Sequence, residues 1–339
     1  MACYHPLVGI ADGINPGTGK THYKILPYNE KYFTDAYYKD KVVTIPCGQC
    51  VGCRLAYSRE WANRCMMELE YHDSAYFVTL TYNDDHLPRS YYPDQETGEA
   101  LPSFTLNKRD CQLFMKRLRK AKPDDHIRFF LAGEYGDQTF RPHYHAIIFG
   151  LHLDDLVLYK KSPQGFLYYN SPCIQRAWST VVTRENSITP LAVPIGYAVV
   201  AEVTWETCAY TARYVMKKLK GADVEFYRKF NIEPPFTLMS RKPGIGRQWY
   251  DDHPGLYDYD FINLSTKDGG RKFRPPKYFN RLYDVEYPDK SAELKAFRRA
   301  AAEAQKELKL QKTNLSYLDL LAVEEQALKD RIKPLERKL

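Results

Sequence analysis

The 339-residue chain has no long uncharged apolar run. Its longest charge-free stretch, around Thr189 to Ala201, is interrupted by Pro190, Pro194 and Gly196. It falls short of the roughly 20 apolar residues that a spanning helix needs, so no membrane partner is expected. The opening MACYHPLVGI lacks the positive start and apolar core of a secretory signal. A cytosolic chain without disulfides is the expectation. No internal repeat is present, which excludes solenoids and propellers. GINPGTGKT at 13–21 imitates a phosphate-binding loop, but from Gly13 the spacing is one residue too long, and Pro27 interrupts any helix after it. A nucleotide-driven motor is therefore not expected.

What is present suits a folded chain with a polyanionic partner. Hydrophobic residues make up 44%, enough for a sizeable core. Lys and Arg number 49 against 42 Asp and Glu, a net +7 that matters only where it is concentrated. Three basic clusters, MKRLRKAK, SRKPGIGR and GGRKFRPPK, are suited to backbone phosphates, with Trp249, Tyr250 and Phe273 nearby to stack on unpaired bases. Charged runs are also ordinary solvated faces.

Periodicity gives an α+β chain. Residues 1–46 read as an irregular arm with one short strand at Lys41–Ile45. An amphipathic helix follows the cysteine cluster, with Leu55, Ala62, Cys65, Met66 and Leu69 on one side. AYFVTLTY at 75–82, IRFFLAGEY and HYHAIIFG read as strands, the last two joined by a short link as antiparallel neighbours. Helices are expected at about 107–122, near 174–181 and over ETCAYTARYVMKKLKG at 206–221, with a strand near 197–203 and a hairpin over 259–274. The organisation expected is an N-terminal cysteine-containing arm at 1–53, a central domain at 54–288, and a charged helical tail at 289–339.

His143-Tyr144-His145 lies in one of these strands, where residues two apart share a face. The two imidazoles can therefore converge on one ion, and Glu134 near the end of the preceding strand can bring a carboxylate beside them. Two imidazoles and a carboxylate suit Mg²⁺ or Mn²⁺. Packed histidines and a solvated turn glutamate are the plain alternative.

Tyr210, Tyr214 and Lys217 share one face of the expected 206–221 helix. A phenol can attack a phosphodiester and hold it as phosphotyrosine, given a nearby cation to make it a competent nucleophile. With 28 tyrosines in the chain, roughly two such i,i+4 pairs arise by chance, so the pair alone does not separate this from packing.

Cys47, Cys50 and Cys53 form C-x-x-C-x-x-C, which random placement of eight cysteines would produce on the order of 0.005 times. That spacing suits a structural Zn²⁺, with Cys3, His5 or Cys65 as fourth ligand. Reduced thiols at a tight turn and an iron–sulfur cluster are the alternatives.

AYFVTLTY, Glu134 nine residues before HYH, and Y-x-x-R-Y-x-x-K at Tyr210 to Lys217 resemble, in that order, the three motifs of HUH-type replication initiators. With MACYHP, PCGQCVGCR and SRKPGIG, the chain over roughly residues 1–290 is similar to rolling-circle replication proteins of gokushovirus-like microviruses, small single-stranded DNA phages. Tyr144 stands where the family usually has a plainly apolar residue. The resemblance implies an HUH endonuclease-like antiparallel sheet flanked by helices, with the histidines on a central strand and the tyrosine helix across it. It also implies a metal-dependent endonuclease and strand transferase that nicks a viral origin, forms a 5′-phosphotyrosine and later rejoins the strand. Its partners would be single-stranded and supercoiled origin DNA in the bacterial host cytoplasm, with a host helicase and a host DNA polymerase supplying unwinding and synthesis. A plasmid mobilisation relaxase shares this chemistry, and a non-catalytic zinc-stabilised DNA-binding protein is the competing class.

Overall fold

A computed structural model describes residues 3–17, 21–38, 40–136, 138–163, 165–182, 191–205, 207–208, 211, 224–259, 261–266 and 269–336. The chain divides into two compact units, Met1–Tyr57 with Arg281–Leu339, and Ser58–Asn280.

In the first unit, β1 (Leu7–Ile14) pairs antiparallel with β2 (Thr21–Pro27) on one side and β3 (Val42–Ile45) on the other. The expectation of an irregular arm with one strand is corrected here, since three strands form. Gly9 explains the misreading. It sits opposite Val43, and a Cβ built on it would lie 2.5 Å from Cδ1 of Ile45, so a residue that reads as a loop signal is what lets β3 approach. At the false phosphate-binding loop the chain enters β2 at Thr21, not a helix. The C-terminal part contributes the helices Pro288–Leu310 and Tyr317–Glu336, the first opened by Pro288 with Asp289 in its first turn.

The second unit is built on a seven-stranded sheet. Its strands are β4 (Ala75–Tyr82), β7 (Arg128–Tyr135), β8 (Pro142–Phe149), β9 (Val157–Lys161), β10 (Leu167–Asn170), β13 (Gly196–Glu202) and β14 (Phe236–Met239), in the order β14-β7-β8-β4-β13-β10-β9, each adjacent pair antiparallel. Three hairpins stand apart from it: β5 (Arg89–Pro93) with β6 (Ala100–Phe104), β11 (Ser179–Val182) with β12 (Leu191–Pro194), and β15 (Ile262–Thr266) with β16 (Gly269–Phe273).

Alternation along the strands gives the sheet two apolar faces. One carries Val78, Leu80, Tyr144, Ala146, Ile148 and Val200, and is covered by Phe114, Met115 and Leu118 of the helix Lys108–Ala121 and by Ile174 and Trp178 at the helix Pro172–Ala177. Each such large apolar side chain taken fully out of water contributes roughly 1.5–3 kcal/mol. Asn107 caps the longer helix by accepting from the Arg109 N–H. The other face carries Phe77, Phe130, Ile147, Phe149 and Ala201 against Trp61, Ala62 and Cys65 of the helix Val51–Leu69, together with Cys208 and Ile245. The helix expected near 174–181 is shorter than read: it ends at Ala177, and the β-branched Thr180, Val181 and Val182 form β11.

Candidate metal centre

Strand alternation and register build the site. In β8, His143 and His145 point to one face and Tyr144 to the other. Pairing with β7 sets His143 directly opposite Glu134, and pairing with β4 sets His145 opposite Thr79. Glu134 Oε1 lies 2.7 Å from His143 Nε2 and 3.3 Å from His145 Nε2. Glu134 and His145 are buried, whereas the His143 side chain keeps 21% of its surface exposed, so the centre opens to solvent on that side.

The far ring nitrogens are held as well. His143 Nδ1 is 3.2 Å from the Arg141 carbonyl oxygen, and His145 Nδ1 is 3.1 Å from the Thr79 hydroxyl. Phe77 stacks on the His145 ring at 5.5 Å between centroids. With each Nδ1–H donated to its oxygen, both Nε2 lone pairs face Glu134, the second-contact arrangement typical of metal-binding histidines. Two lone pairs facing a carboxylate oxygen repel it unless a proton or cation lies between them. Burial alone would push the Glu134 carboxyl up, but hydrogen bonds and charge from His143 and His145 outweigh it and pull it down to about 2. Glu134 is therefore an anion at neutral pH. The three ligand atoms lie within 4.8 Å of one another. The observed 2.7 and 3.3 Å bracket the separation of about 3.0 Å between neighbouring donors of an octahedral site at about 2.1 Å. The three residues fit a small divalent ion.

Tyr144, between the ligands, faces the opposite core and is fully buried. Its hydroxyl accepts from the Asn107 N–H at 2.8 Å and lies 3.0 Å from the Tyr82 hydroxyl, so the polar tip is satisfied where the family carries an apolar residue. Gly133 lies opposite it, and a Cβ there would come 3.0 Å from the tyrosine ring and 3.1 Å from Phe236.

Tyr210, Tyr214 and Lys217 lie outside the described residues. Of that segment, Cys208 and Thr211 are described and fully buried, and Cys208 packs with Phe77, Phe130 and Ile147 on the face that carries the histidines.

The structure also brings Cys3 to Cys47, Cys50 and Cys53, with all four sulfurs within 4.8 Å of one another. The four can hold a metal ion. Of the three candidates for the fourth position Cys3 is therefore the one that joins. His5 Nε2 instead lies 2.9 Å from Glu325, and Cys65 is buried beside Trp61 and Phe77. Burial raises the Cys50 thiol, but N–H groups of Cys53 and Tyr4 outweigh that and lower it to about 7, whereas burial raises Cys3 to about 11.

The residues read as a DNA track divide. Trp249 and Tyr250 are only 5% and 6% exposed, so they serve the core and cannot stack on bases as expected. Arg117 and Arg119 donate to the carbonyls of Ala177 and Ile127. SRKPGIG is gripped by its backbone, with Arg64 donating to the Ile245 carbonyl and Arg128 to those of Pro243 and Gly244. Lys116, Lys120, Lys272 and Arg274 remain exposed. Sequence reasoning did not single out Thr79, although AYFVTLTY places it on the face of Phe77 and Thr81, directly opposite His145. Nor did it single out Arg64, whose guanidinium lies 4.1 Å from the Trp61 ring centroid and 4.2 Å from that of Tyr278.

The family model of the replication-associated protein ORF2 matches residues 75–219, which span the site strands. The chain is 31% identical over 304 residues to the replication-associated protein ORF2 of Spiroplasma virus 4, covering 87% of this chain and 86% of that one. It is 29% identical to the replication-associated protein VP4 of Bdellovibrio phage phiMH2K, over 74% of this chain and 71% of that one. It is also 29% identical to the replication-associated protein ORF4 of Chlamydia phage 1, over 76% and 59%. No solved structure matches. Similarity of this extent, across the strands that bring Glu134, His143 and His145 together, places the chain in the family of phage replication-associated proteins typified by ORF2, the rolling-circle replication initiators of microvirus-like phages.

Proposed function

We propose that the chain initiates replication by nicking one strand of the viral origin through tyrosine attack, as an HUH-type endonuclease and strand transferase. The observation that carries this is the convergence of His143, His145 and Glu134 at 2.7 and 3.3 Å on one sheet face. Bound there, Mg²⁺ or Mn²⁺ would neutralise charge on the scissile phosphate and orient it for in-line displacement. His143, the exposed ligand, marks the side from which DNA enters; Glu134 and His145 form the buried floor.

The nucleophile is the phenolic oxygen of Tyr210 or Tyr214, with Lys217 supplying positive charge. Burial of Cys208 on the histidine-bearing face supports this, because Tyr210 follows two residues later, within about 7 Å of extended chain. A bond forms from the phenolic oxygen to phosphorus as the bond to the 3′ oxygen breaks, and the phenol proton ends on that departing oxygen. The products are a 5′-phosphotyrosine and a free 3′-hydroxyl, which a host polymerase extends while a host helicase unwinds the duplex in the bacterial cytoplasm. A second strand end rejoins by the reverse displacement.

Incubation of the protein with labelled single-stranded segments of its phage genome and Mn²⁺ tests this reading. A denaturant-stable protein–DNA adduct is expected, absent from the Tyr210→Phe, Tyr214→Phe double variant. Absence of any adduct across the whole genome would overturn it in favour of a non-catalytic DNA-binding protein.

A further inference from the structure

We propose that Cys3, Cys47, Cys50 and Cys53 bind one structural Zn²⁺, and that the C-terminal helix Tyr317–Glu336 seals that site from water. The sulfurs of Cys3 and Cys50 are 4.0 Å apart, close to the edge of about 3.8 Å expected for tetrahedral thiolates at about 2.3 Å from zinc. The same distance is about twice a disulfide bond. Backbone donors turn toward the sulfurs: the N–H of Tyr4 and of Cys53 point to Cys50 at 3.3 and 3.5 Å, those of Gln49 and Cys50 to Cys47 at 3.4 and 3.3 Å, and that of Cys47 to Cys3 at 3.2 Å. Neutral thiols are weak acceptors, so this cage suits thiolates, and four thiolates gathered within 4.8 Å require a cation among them. Soft sulfur donors select against magnesium, calcium and manganese, and a closed set of four protein ligands is that of a structural zinc.

The helix's part is seen in the packing. Tyr4, Cys50 and Leu321 form one buried cluster, with Val51, Tyr317 and Leu328 against it, so apolar side chains of the last helix wall the sulfur cage. His5 and Glu325 bridge beside this wall at 2.9 Å. The ion thereby joins an N-terminal residue to the turn before the Val51–Leu69 helix, and closes a loop of more than forty residues that contains β1 to β3. Such cross-linking is how small irregular segments reach stability that their packing alone does not give.

The site is independent of the sheet centre, and its test is run in a His143→Ala, His145→Ala background so that only the cysteines contribute. Elemental analysis of the full-length protein should find one zinc per chain. Titration with a thiol-modifying mercurial should release that zinc in step with four cysteine side chains. Cys3→Ser should lose the ion, whereas His5→Ala should keep it. Leu321→Asp should keep the stoichiometry but transfer zinc to a chelator at least tenfold faster. Metal-free protein, iron with visible absorption, or thiols that react without releasing zinc would overturn the ion. An unchanged transfer rate in Leu321→Asp would overturn the seal. Because the mercurial titration uses intact cysteines, a Cys3→Ser variant that fails to fold does not remove the test.

Discussion

Thr79→Val probes how the metal centre is held without touching the ion or the DNA. The Thr79 hydroxyl is 3.1 Å from His145 Nδ1, on the strand directly opposite the histidine, and fixes which ring nitrogen presents its lone pair to Glu134. Valine keeps the β-branched shape and removes only this contact. Loss of such an outer partner lowers metal affinity by roughly 10–100-fold, equivalent to about 1.4–2.8 kcal/mol, while folding stability falls by only about 1 kcal/mol. The effect should therefore appear in the Mn²⁺ concentration that gives half-maximal nicking, with the rate at saturating Mn²⁺ near that of the parent. Isothermal titration with Mn²⁺ should give the same shift, and Thr79→Ser should restore binding. An unchanged midpoint, or a depressed saturated rate with unchanged affinity, would refute the assignment of Thr79 as a positioning residue.

Glu68 is buried, which by itself raises its carboxyl, but contacts from His72, Arg128 and the Gly246 N–H outweigh that and hold it below the ordinary 4.5. Its contribution to stability is thus present above about pH 4.5 and lost as pH falls through the lower folded value. Glu68→Gln should cost on the order of 3 kcal/mol at pH 7 in urea unfolding, by leaving Arg128 without its counter-charge, and should flatten the stability loss below pH 4.5. Gly133→Ala should cost about 1–3 kcal/mol, because its methyl would sit 3.0 Å from a Tyr144 ring pinned by its own hydroxyl; a urea midpoint equal to the parent's would contradict that packing.

Legibility followed the range of the interaction. AYFVTLTY, RFFLAGEY and HYHAIIFG were readable as strands because period-2 patterning is local, and the same period placed the two histidines on one face. Glu134 could be proposed beside them because the link between the strands is short enough to force neighbours. Thr79 was not singled out, since its strand is paired with β8 from more than sixty residues away and no local signal sets that register. The N-terminal sheet escaped because Gly9, which reads as a break, is needed for close approach of β3. Trp249 and Tyr250 looked available for bases because they follow a basic run. Their burial depends on the loop that Arg64 and Arg128 hold by its carbonyls, contacts spanning more than a hundred residues.

The residue between the histidines accounts for the precision of the centre. A strand slipped by one position would turn every side chain of β8 over, placing Tyr144 beside Glu134 and driving the imidazoles into the opposite core. An apolar residue at this position would resist that slip only through burial. Tyr144 adds a directional lock: its hydroxyl meets the Asn107 N–H at 2.8 Å and the Tyr82 hydroxyl at 3.0 Å, and Asn107 is also the cap of the helix packed on that face. In the slipped register the ring would leave both partners, and a buried N–H at the helix start would lose its acceptor, at a cost of roughly 1–3 kcal/mol beyond the lost packing. Gly133 allows the ring to lie flat against β7, which keeps Glu134 at the level of His143. The departure from the family's apolar pattern is thus a polar anchor on the core side of the strand that holds the register of the ligands on the other.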